Sequence, residues 1–395
     1  LTGQSTTSAD LKFLRKALAL AAGGRGRVSP NPLVGAVVVR GGEIIGEGFH
    51  AELGGLHAER AALADAARRG EDVAGATMYV TLEPCAHQGR QPPCSDAIAE
   101  ADLARVVIAS DDPTTKASGK GPGQLRAAGI AVDFIEGATD REAAEGDAGL
   151  AADMTALGAA PEAAAEVALA ARLLNQPFRK HGLTGLPLVV LKTAMSLDGR
   201  TATPEGASPW ISGEQSRQLV HVWRGECDSI AVGIGTVLAD DPLLTARLGE
   251  ARQPVRVVFD SDARLPLDSQ LLATLDEAPL TVVHGPEADH RRLEALLAAG
   301  AETVLAAGSS PAERVGAALT ELGRRGLTSL LLEGGATLAA AFAAAGQIDE
   351  ARVFVAPLLL GGPAPDVPVA ALQGGPTEAE TVGEDTLIRT RFKEW

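Results

Sequence analysis

The stretch from Asp133 to Gly185 constrains this chain more than any other feature. It is rich in alanine and acidic residues, reading GATDREAAEGDAGLAADMTALGAAPEAAAEVALAARLLNQPF over 137–178, and it separates two regions in which strand signals alternate with helical ones. Such alternation indicates layered α/β folds. A length of 395 residues also exceeds what one core organises, at roughly 150 residues per domain. The expected plan is a first domain at 8–136, an Ala-rich connector at 137–185 and a second domain at 186–395. Within the connector, Glu162 to Leu174 has the propensity to form a helix of its own.

In the first series, apolar Leu11, Leu14, Leu18 and Ala21 predict a helix from Asp10 to about Ala22, with Asp10 as its N-cap. After the Pro30-Asn31-Pro32 turn, Val34 to Arg40 and Glu43 to Phe49 read as a hairpin turned at Gly41-Gly42. A helix at Ala58 to Arg69, a strand at Thr77 to Leu82, a helix at Ser95 to Ala101 and a strand at Arg105 to Ser110 follow. The second series has strands at Leu188 to Lys192, Ser229 to Gly233, Val255 to Asp260, Leu280 to His284, Ser329 to Glu333 and Arg352 to Ala356. The two halves do not repeat each other.

Composition excludes several classes of function. Hydrophobic residues make up 46%, yet no apolar run reaches the roughly 18 uncharged residues of a membrane-spanning helix. The start, LTGQSTTSADLKF, has neither the basic region nor the apolar stretch of a secretory signal, so a soluble, cytoplasmic protein is expected. A net charge of −16 argues against a nucleic-acid partner, because phosphate-backbone binding relies on clustered Lys and Arg. The expected partner is a small molecule, and assembly into a homo-oligomer is left open. Three cysteines, at 85, 94 and 227, cannot complete a disulfide framework, which favours metal ligation or burial.

His57-Ala58-Glu59 is followed by Pro84-Cys85 and then by Cys94. One imidazole and two thiolates leave the fourth tetrahedral position of zinc open for water. The metal can lower that water's pKa to about 7, and a neighbouring carboxylate can carry its proton to a leaving amine. Glu59 suits that role, with His57, Cys85 and Cys94 as zinc ligands. Zinc deaminases commonly follow H-x-E with P-C-x-x-C; here eight residues, AHQGRQPP, separate the cysteines. A spacer of that length is able to place His87 and Arg90 over the pocket.

PNPLVGAVVV, GEIIGEGFH, HAER, TLEPCAHQGRQPPC and SGKG occur in that order between Asp10 and Ile135. By these motifs the region resembles the deaminase domain of the bifunctional riboflavin biosynthesis deaminase–reductase family. The long spacer separates that family from tRNA-adenosine and cytidine deaminases, which share the cytidine-deaminase-like three-layer fold. The resemblance implies zinc on His57, Cys85 and Cys94, proton transfer by Glu59, and substrate contacts at Asn31, His50, His87 and Arg90. Two positions depart from the family pattern: Leu56 stands where Pro is usual, and Thr114 where Asn is usual.

The second half lacks a G-x-G-x-x-G after a strand, so a standard dinucleotide-binding unit is not expected. It carries LKTAMSLDGRTA, WISGEQSR, VGIGTVLADDPLLTAR, FDSDARLP and LLLEGGATLAAAF, each polar cluster just after a strand signal, where open α/β sheets collect ligands. From about Pro187 to Leu360 these segments resemble the reductase domain of the same family, which has a dihydrofolate-reductase-like fold. The resemblance implies NADPH contacts at Ala194, Trp210, Thr236, Asp240, Ser261, Gly335, Ala336, Thr337, Leu338, Ala339, Ala340 and Ala341. It implies substrate contacts at Ser208, Arg224, Leu244, Arg247 and Glu333; the arginines suit a phosphorylated sugar, which needs charge-assisted donors. Lys192, Ser196 and Asp198, at the end of the first strand, are expected to shape the same pocket. The connection from Gly129 to Asn175 is longer than usual for the family. The implied activity is deamination of a phosphorylated ribosylaminopyrimidine followed by reduction of its ribosyl group.

Overall fold

A capping box opens the first helix of the computed structural model, which describes residues 7–89, 91–115, 117–135, 161–201, 210–249, 251–361 and 372–395. Thr7 is the N-cap of α1 (Ser8–Ala21): its hydroxyl accepts from the Asp10 N–H while the Asp10 carboxylate accepts from the Thr7 N–H. Asp10, expected at the cap, therefore sits one turn inside. Its carboxylate also accepts from Tyr79 and from Arg105, which in turn bonds Asp133 at 2.6 Å. This buried network spares the charge of Arg105 the cost of desolvation without a partner.

Strands β1 (Gly35–Arg40) and β2 (Glu43–Phe49) form the expected hairpin, with Gly41 and Gly42 both left-handed. Then come α2 (Ala58–Arg68), β3 (Thr77–Val80), α3 (Cys94–Glu100), β4 (Arg105–Ile108), α4 (Lys120–Ala127) and β5 (Ala131–Phe134). The sheet runs β2-β1-β3-β4-β5, antiparallel at the hairpin and between β1 and β3, parallel from β3 to β5. Side chains alternate across it, as strand geometry requires. Ala36, Val38, Met78 and Ile108 meet Ala62, Ile98 and Leu125 of α2, α3 and α4. Val37, Val39, Tyr79 and Val107 meet Leu14 of α1 and Val167 and Ala168 of α5 (Pro161–Leu174) on the other face. The result is three layers. Helix α6 (Gln176–Thr184) follows, and Asn175 before it pairs both amide atoms with the main chain of Leu33.

The chain divides into one unit that runs to Leu183 and takes in Trp395, and another over Thr184–Glu394. The second unit contains β6 (Leu188–Ser196), α7 (Glu214–Glu226), β7 (Ser229–Gly233), α8 (Ile234–Asp240), β8 (Val255–Phe259), α9 (Gln270–Ala273) and β9 (Leu280–His284). It continues with α10 (His290–Ala298), β10 (Glu302–Leu305), α11 (Pro311–Arg324), β11 (Ser329–Leu332), α12 (Ala336–Ala344), β12 (Glu350–Ala356), β13 (Thr377–Val382) and β14 (Asp385–Arg391). Its described strands lie in one sheet ordered β10-β9-β8-β7-β11-β6-β12-β14-β13. The strands are parallel from β10 to β12, and β14 and β13 add antiparallel pairs. One face packs Val189, Val257 and Leu330 on Leu319, Leu322 and Phe342; the other packs Ile230, Val232 and Val258 on Val237, Leu271 and Leu296.

Among the described residues no helix is long and apolar enough to cross a membrane. The α/β character expected of both halves is what the two sheets display. β6 runs on to Ser196, beyond the expected end at Lys192, because it pairs residue for residue with β12 as far as Ala356.

Candidate active sites

In the first unit, chain segments leaving the C-terminal ends of β3 and β4 converge on the start of α2. His57 is the extended N-cap of α2, so its side chain projects ahead of the helix while Glu59 sits in the first turn. Cys94 opens α3, and its N–H points at Cys85 Sγ, 3.4 Å away. His57 Nδ1 lies 3.6 Å from Cys85 Sγ and 3.4 Å from Cys94 Sγ. These separations fit a metal tetrahedron, since ~2.05 Å Zn–N and ~2.3 Å Zn–S bonds span an edge of about 3.6 Å. One nitrogen and two sulfurs are a zinc donor set, and all three ligand atoms lie within 4.8 Å of one another.

The electrostatics suit the same ion. A hydrogen bond from Cys94, then the His57 side chain, hold the Cys85 thiol down at about 4, while Cys94 is pushed up as the proton-bearing member of the pair. A divalent cation relieves this competition by taking both sulfurs as thiolates. Glu59 is only 3% exposed, and burial, followed by the charge of Cys85, pushes its carboxyl up to about 7.

A cavity of about 550 Å³ opens onto this triad. Asn31, His50 and His87 line it, as do His57, Cys85 and Glu59; Arg90 lies outside the described residues. His50 bonds the Leu56 carbonyl through Nδ1 and faces the Asn31 amide with Nε2, so the pair forms one oriented polar edge. Burial, then the charge of His57, hold the His50 imidazole below its usual value.

Thr114, noted in the sequence only as a departure from the family pattern, is also on the wall, and sequence reasoning did not single out Asp112, Thr115, Phe178, His181 and Gly182. The last three belong to α6, inside the stretch read as connector. A buried ion pair from Arg179 to Asp111, at 3.0 Å, fixes that helix. Gly182 permits its close approach, because a Cβ there would stand 2.7 Å from Thr114 Cγ2. Gly121 has a similar part at the metal end, where a Cβ on α4 would meet the Pro84 carbonyl oxygen at 1.8 Å.

In the second unit a cavity of about 680 Å³ sits at the C-terminal ends of β6 and β11. Ala194, Trp210, Thr236, Asp240, Glu333, Gly335, Ala336, Ala339 and Ala340 line it, together with Lys192. Thr193, Thr201, Ile211, Ser212 and Phe392 join them without having been singled out in the sequence. The stretch from Gly335 to Ala341 contributes only one face, as a helix must. Leu338 and Ala341 turn to the apolar core, and Thr337 is likewise not among the lining residues. Ser261 is exposed in the turn after β8 and does not line this cavity. Ser208 lies outside the described residues.

Glu333 accepts a two-point ion pair from Arg224, whose remaining contact is the Thr245 carbonyl. Lys192 Nζ stands 3.9 Å from the same carboxylate. Burial raises Glu333, but the charge and hydrogen bonds of Arg224, then Lys192, outweigh it and hold the carboxyl below its ordinary range. Burial lowers Lys192 despite the opposing charge of Glu333. Leu244 is buried in the apolar core and Arg247 is exposed; both have left-handed backbone, as does Asp241. Three non-glycine residues of that kind in one loop mark a strained segment held by its surroundings. Ser196 and Asp198 are not cavity walls: Asp198 accepts from Ser196 and from the N–H groups of Leu360 and Gly361, tying down the chain after β12.

Comparison with known proteins follows the same division. Residues 7–110 match the family described as the cytidine and deoxycytidylate deaminase zinc-binding region, and residues 187–388 match the RibD C-terminal domain. The riboflavin biosynthesis protein RibD of Actinobacillus pleuropneumoniae is 38% identical over 97% of this chain and 95% of its own length. That of Escherichia coli is 37% identical over 90% and 89%. Among solved structures, a Thermotoga maritima diaminohydroxyphosphoribosylaminopyrimidine deaminase/5-amino-6-(5-phosphoribosylamino)uracil reductase superposes with a TM-score of 0.76 at 33% identity, covering 97% of this chain and 98% of that one. Acinetobacter baumannii RibD gives 0.76 at 35% identity with the same coverage. With a donor triad and buried carboxylate in one unit, a charged strand-end cavity in the other, and relatives matched along nearly their whole length, this chain belongs to the riboflavin biosynthesis protein RibD family.

Proposed function

We infer that this chain performs two consecutive steps of riboflavin biosynthesis: hydrolytic, zinc-dependent deamination of 2,5-diamino-6-(ribosylamino)pyrimidin-4-one 5'-phosphate, then NADPH-dependent reduction of its ribosyl group to ribityl. The observation that carries the reading is the convergence of His57, Cys85 and Cys94 beside the buried carboxylate of Glu59. We assign deamination to the domain at 8–136 and reduction to the domain at 186–395, with 137–185 joining them. Cytoplasmic residence fits the three free thiols, two of which serve as metal ligands in this reading.

His57, Cys85 and Cys94 would hold the zinc. When bound, zinc supplies the Lewis acidity that makes water a nucleophile near neutral pH. Glu59 carries one proton from the attacking water to the ring nitrogen and the second from the added hydroxyl to the amine, so that ammonia leaves and a ring carbonyl remains. A carboxyl raised by burial suits both halves of that transfer. Asn31 and His50 present their joined polar edge to the pyrimidine, His87 lines the cavity from the loop between the cysteines, and Arg90 is kept as an expected substrate contact.

For the second step the walls at Ala194, Trp210, Thr236, Asp240 and the exposed face of α12 would hold NADPH, with Ser261 at its far end. NADPH supplies the hydride that reduces the anomeric carbon. Arg224 fixes Glu333, which accepts from sugar hydroxyls, and Arg247 and Ser208 offer donors to the phosphate. Lys192, on the same cavity wall 3.9 Å from Glu333, is assigned as the group that protonates the ring oxygen as the sugar opens.

Elemental analysis of the purified chain, with a coupled assay using the ribosylaminopyrimidine phosphate and NADPH, tests the reading. Bound zinc, release of ammonia, and NADPH oxidation that depends on the deaminated product are expected. Oxidation indifferent to that product would refute the second assignment.

A further inference from the structure

The deaminase cavity has a wall that the mechanism above does not use. Phe178, His181 and Gly182 of α6 line it, and Gly182 is packed against Thr114. The helix is held by the buried Arg179–Asp111 ion pair and by the two-point pairing of Asn175 with Leu33. A cavity wall fixed at its N-terminus and at its middle in this way is preorganised to make specific contacts.

The substrate class carries a phosphorylated arm, and three carboxyl groups, those of Glu59, Glu83 and Asp112, line the cavity, so a phosphate dianion needs a cationic partner there. Among the described cavity residues the groups able to carry positive charge are four histidines. His57 is a metal ligand, His50 is tied to Asn31 and Leu56, and His87 sits on the loop two residues from Cys85. His181 alone comes from α6, with the hydroxyl-bearing Thr114 and Thr115 on the same cavity wall.

We propose that His181, presented by α6, is a specificity-determining residue of the deaminase: with Thr114 and Thr115 it receives the phosphorylated ribosyl arm of the pyrimidine while the ring occupies the triad end. The proposal rests on the deaminase reading of the first unit. It places specificity for the phosphorylated substrate in a helix far along the chain from every zinc-site motif.

The test compares the full-length wild-type chain with His181→Ala and His181→Lys, using the phosphorylated substrate and its dephosphorylated nucleoside. For His181→Ala, kcat/KM on the phosphorylated substrate should fall about tenfold or more, the loss of one charge-assisted hydrogen bond, mainly through KM. On the nucleoside it should change less than about threefold by the same principle, and His181→Lys should recover most of the discrimination. Zinc content and reductase activity should stay at wild-type levels. Equal losses on both substrates, or none on the phosphorylated one, would overturn the proposal. A wild-type chain that deaminates neither substrate would instead refute the deaminase reading.

Discussion

Arg224 and Glu333 meet through two parallel hydrogen bonds, Nε to Oε1 at 2.8 Å and Nη2 to Oε2 at 2.9 Å, joining helix α7 to the end of strand β11 across 109 residues of sequence. The pair is largely buried, at 13% and 10% side-chain exposure. It turns a carboxylate that burial would neutralise into a fixed anion at the wall of the second cavity.

Arg224→Ala leaves that carboxylate buried with Lys192 and His221 as its remaining neighbours. Removing one partner of a buried pair costs about 3–5 kcal/mol, so the second unit should unfold at markedly lower denaturant concentration and NADPH oxidation should fall steeply. The pH dependence has a definite sign. A carboxyl held below its unfolded value of about 4.3 contributes stability that is complete above that value and lost as pH falls through the folded one. In the wild type this loss comes below pH ~4; in the variant that acid-sensitive contribution should be absent. Identical acid unfolding profiles would contradict this account of Glu333.

Glu59→Gln and Cys94→Ser should separate proton transfer from metal binding. The first keeps the donor triad and should retain zinc by elemental analysis, with deamination reduced about 10²–10⁴-fold, the usual worth of a general acid–base group. The second should lose zinc and deamination together. Both should still reduce the deaminated product with NADPH. Full deaminase activity in the glutamine variant would remove Glu59 from the chemistry.

Gly121→Ala tests the close approach made by the last glycine of the SGKG motif. The added methyl would stand 1.8 Å from the Pro84 carbonyl oxygen, immediately before Cys85. Backbone against backbone leaves no flexible atom to give way, so overpacking of the ~1–3 kcal/mol kind, or more, is expected. Because the displaced peptide carries the proposed zinc ligand Cys85, weaker zinc retention during dialysis against a chelator should accompany the loss of stability. Wild-type retention would mean that Cys85 is positioned independently of α4.

Gly182→Ala places two effects in competition. Alanine favours the helix by up to ~1 kcal/mol, while its methyl would meet Thr114 Cγ2 at 2.7 Å. In the wild-type background the clash should win and raise KM for deamination. Thr114→Ser removes the methyl concerned, so adding Gly182→Ala to it should be neutral or stabilising in thermal unfolding. Additive destabilisation in the double variant would show that the two side chains are not in contact.

Much of the molecule was legible without coordinates, and for a physical reason. Strands buried on both faces demand runs such as Val37-Val38-Val39 and Leu330-Leu331-Leu332, and zinc demands His and Cys beside a carboxylate; both requirements are written in local residue types. They specified two α/β layers and the deaminase triad. Strand β13 escaped because TEAETV is almost wholly exposed and carries no alternating apolar face; only pairing with β14 makes it a strand. Helix α6 was hidden in the supposed connector because its docking depends on Arg179, Asn175 and Gly182 finding partners at Asp111, Leu33 and Thr114.

The sequence by itself determined the chemistry available to the two halves: which residue types can hold zinc, which carboxylate stands beside them, and which strand ends gather polar groups. Tertiary structure decided which of those groups share a cavity. It gave Arg224 to Glu333, split the Gly335 to Ala341 stretch into a cavity face and a core face, and made α6 a wall of the deaminase site. Donor chemistry is a property of single residues and close spacing. Long-range pairing and the rotation of a helix against its neighbours are set by packing, which no local pattern encodes.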